Sequence, residues 1–349
     1  MFEMCLKVAA CAAIASLALG SAVAADQVTV VSLGGAFQAA QRKAYFEPFS
    51  KDSGIKVIED EYNGEISKIR AMVEAKSVSW DVVTTSALWT IEMCNQGIVE
   101  KIDWAKLGLD RSSFIGAEQY DCGVPDAVSA TVLAYDRDKL PNGPKIIADL
   151  FDTQKFPGKR GLYKGPDVNL EWALIADGVA IGDVHKVLST PEGVDRAFRK
   201  LDTIKKDVIW WSSGAQPVQL LADGQVIMTA AYNGRIYDAV KNSGKHFEIV
   251  WDAHTWSPTV WTIPKGTPRR DEAYKFIAFA ASPRAQANLT LHIPYSPTNK
   301  EAMTFVDPAI VSQLPTAPEH VARSVIYDTK FKVEKGDELR QRFNAWLAK

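Results

Sequence analysis

Within the first hundred residues, three short β-rich runs are each followed by a helical period and a glycine, and that alternation leaves few folds open. Residues 27–33 read as a strand closed by Gly34-Gly35, and 37–49 as a helix stopped at Gly54. A second strand covers 55–58, and 65–76 carries Ile66, Ile69, Met72 and Val73 at helical spacing. Trp80-Asp81-Val82-Val83-Thr84 is a third strand, with Ser86 placed to cap a helix over 87–95 that ends at Gly97. A β-α-β-α-β-α order is the signature of a parallel sheet covered by helices on both faces. The pattern resumes with a β-rich run over 128–135, a strand at 159–164, helices at 169–178 and from Thr190 to about 205, a strand at 208–211 and a helix at 215–222. With 349 residues the chain exceeds one typical domain, so a second α/β lobe is expected.

The N-terminus stands apart from this pattern. Lys7 begins a weakly positive start, 8–19 is apolar, and Ala22-Val23-Ala24 or Val23-Ala24-Ala25 offers small residues for signal cleavage. Export is therefore expected, with a mature chain starting near Asp26. A lipoprotein reading at Val8-Ala9-Ala10-Cys11 is disfavoured because the apolar run mostly follows the cysteine. Cys94 and Cys122 remain after cleavage, and an oxidising compartment permits them to pair. A net charge of -2 with no long basic stripe argues against a nucleic-acid partner.

The stretch Ala230-Ala231-Tyr232-Asn233-Gly234-Arg235-Ile236-Tyr237 is the strongest candidate for function. Residues 226–231 read as a buried strand, Asn233-Gly234 as a turn and helix cap, and 235–242 as the start of a helix. A strand–turn–helix junction presents free N–H groups and the positive end of the helix dipole. Arg235 and two tyrosines there suit a small ligand with an anionic end and an apolar or cationic body. The competing reading leaves Tyr232 and Tyr237 as packing residues and Arg235 in solvent.

Beyond it, Trp251, Trp256 and Trp261 lie among Pro and Ser, 260–263 reads as a strand and 270–281 as a helix. Residues 292–299 form an irregular loop, and the remainder is mostly helical. His185, His246, His254, His292 and His320 show no metal-binding spacing, and there is no Tyr-Tyr pair. Ser212-Ser213-Gly214 is not a nucleophile elbow, and no phosphate-binding glycine fingerprint is present. Neither a cofactor nor a metal is expected. Glu171 and Asp177, on the helix after Gly165, read as a solvated face.

The order of these features is that of a known family. An early Gly-Gly strand end, Phe49-Ser50-Lys51-Asp52-Ser53-Gly54-Ile55-Lys56-Val57, Trp80-Asp81-Val82-Val83 and Gly97-Ile98-Val99-Glu100-Lys101-Ile102-Asp103 come first. Tyr232-Asn233-Gly234 and Pro294-Tyr295-Ser296-Pro297-Thr298-Asn299 complete the set. The chain resembles the periplasmic solute-binding proteins of polyamine-type (spermidine/putrescine) ABC importers over nearly its whole mature length. The resemblance implies a two-lobed type II periplasmic-binding-protein fold, each lobe a mostly parallel sheet flanked by helices. Lobe 1 would hold 26–132 plus 259–307 and lobe 2 would hold 133–258 plus 308–349, hinged around a ligand cleft. It also implies a monomer, not an enzyme, that passes its ligand to an inner-membrane permease. A secreted hydrolase is the rival from another class.

Carried over position by position, the candidate ligand-binding residues are Gly35 and Phe37 at the first loop and Ser86 at the third. The second lobe supplies Asp167, Trp211, Tyr232 and Arg235, with Trp256 and Tyr295 near the crossings; Asp126 is either a cleft residue or a turn residue. The chain departs from the polyamine binders in its charges. Thr259 stands where they carry an acid, the loop at 165–169 keeps only Asp167, and Arg235 adds a positive charge that would repel a purely cationic ligand. The expected ligand is therefore an ω-amino acid of the γ-aminobutyrate kind or another small carboxylate, with Arg235 clamping the carboxylate and Asp126 or Asp167 receiving an amine. A true putrescine or spermidine binder is the alternative.

Overall fold

In the computed structural model, which describes residues 26–325 and 327–349, the early alternation builds one end of a nine-stranded mixed sheet. The segment read as a signal peptide lies outside the described residues. Strands β1 (Gln27–Ser32), β2 (Lys56–Glu61) and β3 (Val82–Ser86) are followed by β4 (Val124–Asp136) and β5 (Arg160–Tyr163). Then come β6 (Val208–Trp211), β7 (Met228–Tyr232), β8 (Phe247–Thr262) and the short β9 (Ser296–Pro297). The spatial order is β2-β1-β3-β8-β4-β7-β5-β6, with β9 paired to β4.

Parallel pairing occurs at the two ends, where β1 pairs with β2 and β3, and β5 with β6 and β7. The centre is antiparallel, because β4 and β8 run against each other and against their outer neighbours β7 and β3. These two strands are longer than the sequence suggests, at 13 and 16 residues. Polar Ser257 and Pro258 interrupt the apolar run of β8, and Pro258 is accommodated beside a register shift in the β4–β8 ladder. The same two strands cross between two cores.

One core gathers Phe37, Tyr45, Phe46, Phe49, Trp261 and Phe276, where Phe49 meets Phe276 edge-on with centroids 5.3 Å apart. The other gathers Leu133, Leu170, Trp172, Phe198 and Trp211, closed by Phe331, Phe343 and Trp346 of the C-terminal helix Thr329–Leu347. Strand β4 gives Val124 and Ala127 to the first core and Leu133 and Tyr135 to the second, and β8 gives Trp261 to the first and Val250 to the second. On this grouping we propose the lobe boundaries stated above.

Local chemistry sets the elements that reach the cleft. The first helix runs from Gly35 to Ser53 with a wide turn at Arg42–Phe46, and Gly54 ends it in the left-handed conformation at φ 73°. Ser86 caps the helix Ala87–Asn95 by accepting from the Trp89 N–H at 3.3 Å. Cys94 at the end of that helix and Cys122 just before β4 form a disulfide, with Cα atoms 5.6 Å apart.

Closing a loop of 28 residues' separation stabilises the folded chain by about 3.5 kcal/mol in the chain-entropy account. The double substitution Cys94→Ser/Cys122→Ser is expected to lower the urea midpoint accordingly. The wild type under reductant should match the variant, and equal midpoints with and without reductant would refute the expectation.

Candidate functional site

Strand β7 ends at Tyr232 and the helix Asn233–Ser243 begins at once, so the junction singled out in the sequence exists, but its cap is not the expected one. Asn233 is fully buried and already helical. Its Oδ1 accepts from the Ala130 N–H of β4 at 3.0 Å, and its Nδ2 donates to the Pro294 carbonyl at 2.8 Å. Asn233 therefore fastens the junction to a crossing strand and to the 293–295 loop. Gly234 permits that approach, since a Cβ there would lie 2.4 Å from Ile293 and 2.5 Å from Tyr295.

Arg235, one residue on, is 8% exposed. Its Nη2 donates to the Leu33 carbonyl at 3.1 Å and the Gly34 carbonyl at 3.2 Å, both in the loop after β1. Gly35 makes room for it: φ is +57°, and a Cβ would stand 2.5 Å from Nη1. The guanidinium thus joins the two ends of the sheet, and its remaining N–H groups are available to an acceptor.

Aromatic rings surround this cation. Phe37 and Tyr295 meet at 5.2 Å, Trp211 and Tyr232 at 6.2 Å, and Tyr163 and Trp211 at 5.1 Å. A Cβ on Gly214 would touch both Arg235 Nε at 3.0 Å and Tyr232 at 3.1 Å, so Gly214 lies between the tyrosine and the guanidinium. Burial pushes the Tyr232 hydroxyl up to about 12; Tyr163 and the Asp167 charge add to this, while Arg235 opposes it. Burial likewise raises Tyr163 and Tyr295, so all three phenols are neutral near pH 7 and can donate hydrogen bonds. The Trp211 Nε1–H is buried and has no partner among the described residues. Tyr163, the last residue of β5, was missed by sequence reasoning; its place at a strand end was the signal.

The carboxylates are arranged differently from expectation. Asp167 is held by Lys332 at 2.7 Å, and Lys332 also donates to Glu171. Glu171 is buried and ion-paired, which corrects the solvated-face reading. Burial opposes its ionisation, but Lys332, with His185 nearby, outweighs that and brings it down to about 2. Asp177 instead lies at the surface, accepting from Arg196 Nε at 2.6 Å. Asn169 pins the loop by donating to the Tyr163 and Gly165 carbonyls, both at 2.7 Å, and Val168 is held at φ +68°, a strained value for a β-branched residue.

Asp126 is neither a turn residue nor a cleft residue. It lies within β4 with no exposed surface, because the strand's inner face packs under the first helix; Gln41 Nε2 donates to it at 3.1 Å. Thr259 Oγ1 donates to the Ala127 carbonyl at 3.2 Å. Trp256 stands opposite Ala130 on the crossing strands, and its Nε1 donates to Ser324 at 3.2 Å. The structure therefore brings together Gly35, Phe37, Trp211, Tyr232, Arg235 and Tyr295. It gives Asp167 an internal partner, sets Ser86 to capping, leaves Trp256 at the crossing and buries Asp126 of β4 under the first helix.

An α/β protein whose two cores are joined by crossing strands, with a cation and aromatic rings where the halves meet, is built to hold a small solute. Over residues 44–319 the chain matches the bacterial extracellular solute-binding protein family, and it belongs to that family. It is 46% identical over 324 residues to the gamma-aminobutyric acid-binding protein of Pseudomonas aeruginosa, covering 93% of this chain and 92% of that protein. Identity to the spermidine/putrescine-binding periplasmic protein of Salmonella typhimurium is 24% over 284 residues, covering 78% of this chain and 79% of that protein. The solved structure of the Atu4243 GABA receptor superposes with a TM-score of 0.80 at 37% identity, over 93% of this chain and 98% of that one.

Asp126 makes the fold sensitive to pH. Burial pushes its carboxyl up to about 7, and Gln41 with the neighbouring Tyr45, Trp261 and Thr259 side chains opposes this without cancelling it. A folded pKa above the unfolded value favours the protonated form. The stabilisation is complete below about pH 4 and is lost as pH rises through about 7, on the order of 4 kcal/mol in all. Asp126→Asn keeps an acceptor for Gln41 and cannot ionise. Its stability relative to wild type should climb between pH 4.5 and pH 8 in urea unfolding, and a gap independent of pH would rule out the buried-acid account.

Proposed function

We propose that the protein is the periplasmic solute-binding component of an ABC importer, capturing a small ω-amino acid of the γ-aminobutyrate kind and delivering it to an inner-membrane permease. The observation that carries this is Arg235: a guanidinium held between the halves by two carbonyls, with further N–H groups free for a carboxylate. Phe37, Trp211, Tyr232 and Tyr295 around it supply apolar faces for a short methylene chain and neutral phenols at its ends. The ammonium would turn toward Asp167, which is 41% exposed and shares its one cationic partner with Glu171. The work of such a site is binding, with no bond made or broken.

The relatives favour the same ligand class: the gamma-aminobutyric acid-binding protein is 46% identical, whereas the spermidine/putrescine-binding protein is 24% identical. A diamine would place a cation beside Arg235 with no carboxylate there to offset it.

Calorimetric titration tests the reading. γ-Aminobutyrate is expected to bind saturably and to raise the melting temperature, with about 2.7 kcal/mol of stabilisation at a hundredfold excess over the dissociation constant. Arg235→Met should weaken it by at least thirtyfold, or about 2 kcal/mol, the scale of a lost charge-assisted hydrogen bond. Tight putrescine binding without γ-aminobutyrate binding would exclude the assignment.

A further inference from the structure

The ion cluster at the start of the C-terminal helix lies on the same loop as the ligand contacts proposed above. Lys332 stands in the first turn of Thr329–Leu347 and is 5% exposed, yet it is the sole cation bonded to both Asp167 and Glu171 among the described residues. His185 Nε2 is 3.7 Å from Glu171 Oε1, and its ring meets that of Phe331 at 4.9 Å. Two carboxylates around one ammonium leave one negative charge unbalanced. Glu171 is 2% exposed and Asp167 41%, so the surplus lies on the side that opens to solvent.

The space around the cluster matches a single ammonium head. A cavity of about 30 Å³ is lined by Asp167, Glu171, His185, Thr255, Tyr327 and Lys332. Glu171 Oε2 is buried there without a partner among the described residues. Tyr232 lies outside this lining, at the end of β7 next to Arg235, and its hydroxyl senses the charges of both Arg235 and Asp167. Trp211 meets both Tyr232 beside Arg235 and Tyr163, and Asn169 of the Asp167 loop donates to the Tyr163 carbonyl, so these rings connect the guanidinium end to the acids' loop.

We propose that Lys332 is a specificity-determining residue. Its ammonium occupies the position that the second ammonium of a diamine or a dibasic amino acid would take between Asp167 and Glu171. The cleft therefore accepts solutes with a single ammonium. This rests on a ligand lying between Arg235 and Asp167. A lysine that served only to fasten the C-terminal helix would, when removed, lower stability and leave ligand choice unchanged.

The experiment is calorimetric titration of the mature chain with γ-aminobutyrate, ornithine and putrescine. Wild type, Lys332→Met and Lys332→Met/Glu171→Gln are compared. Lys332→Met is expected to bind ornithine or putrescine at least fivefold tighter than wild type does. The double variant leaves no buried carboxylate unpaired, so it covers a single variant too unstable to fold, and Asp167 alone should preserve the gain. A folded variant with less than a fivefold gain for both probes overturns the proposal, as does failure of both variants to fold. Wild-type titration with γ-aminobutyrate judges the ligand assignment separately, because each variant's gain is measured against wild-type affinity for the same diamine.

Discussion

The guanidinium of Arg235 joins the halves of this protein at the point where the proposed ligand would be trapped. Arg235 grows from a helix on one side and donates to the Leu33 and Gly34 carbonyls on the other. Hydrogen bonds with a charged donor contribute about 1.5–3 kcal/mol. Arg340 of the C-terminal helix also meets Glu92 of the helix Ala87–Asn95 at 3.3 Å, a partly exposed ion pair worth at most about 1 kcal/mol. Moving a two-state equilibrium from one side to the other takes about 5.5 kcal/mol of differential binding. Each of these contacts, like the Asn233 bond to the Pro294 carbonyl, is smaller than that, so a ligand that adds a carboxylate to the same guanidinium can decide the balance. Stronger direct contacts would hold the halves together without a ligand.

That balance needs a connection that bends without unpairing. Strands β4 and β8 provide it, since they carry residues of both cores and share a ladder broken by register shifts between Pro125 and Val128 and between Thr131 and Leu133. A bulge leaves one residue unpaired and locally increases twist, so bending there costs little hydrogen bonding. Asn233 ties the Arg235 helix to Ala130, between the two shifts, so movement of the strands and movement of the guanidinium are linked through one buried amide.

Much of this was legible in the sequence wherever local chemistry decides the outcome. The glycine ending the first helix, Ser86 as a cap and the strand–helix junction at Tyr232 all follow from turn and capping rules, and Arg235 next to that junction marked the candidate site. What was not legible depends on partners far along the chain. Asn233 resembles a cap, but Ala130 and Pro294 claim its side chain. Glu171 sits on what looks like a polar helix face, and Lys332 reaches it from 161 residues away. Asp126 follows a proline and suggests a turn, yet it lies within β4, at a register shift flanked by Pro125 paired with Val260 and Val128 paired with Pro258. Long-range burial overrode local preference in each case.

The charges in the cleft show why one arginine and one lysine matter more than the acids around them. A buried carboxylate without a partner is costly, so Glu171 requires a cation wherever the fold places it. Either the ligand supplies that cation or the chain does. Here the chain does, from a helix that also seals the second core with Phe331, Phe343 and Trp346. The need for a cation is then met before any ligand arrives, and only the half-exposed share of the charge, at Asp167, is left for a solute. With a ligand placed as proposed between Arg235 and Asp167, a resident cation at each end would leave a place for one anionic group and one amine, whereas a ligand with cations at both ends would meet like charge at both. Selectivity of this kind comes from charges the protein has already satisfied, and it can be altered far from the cleft's lining, at the helix that closes the chain.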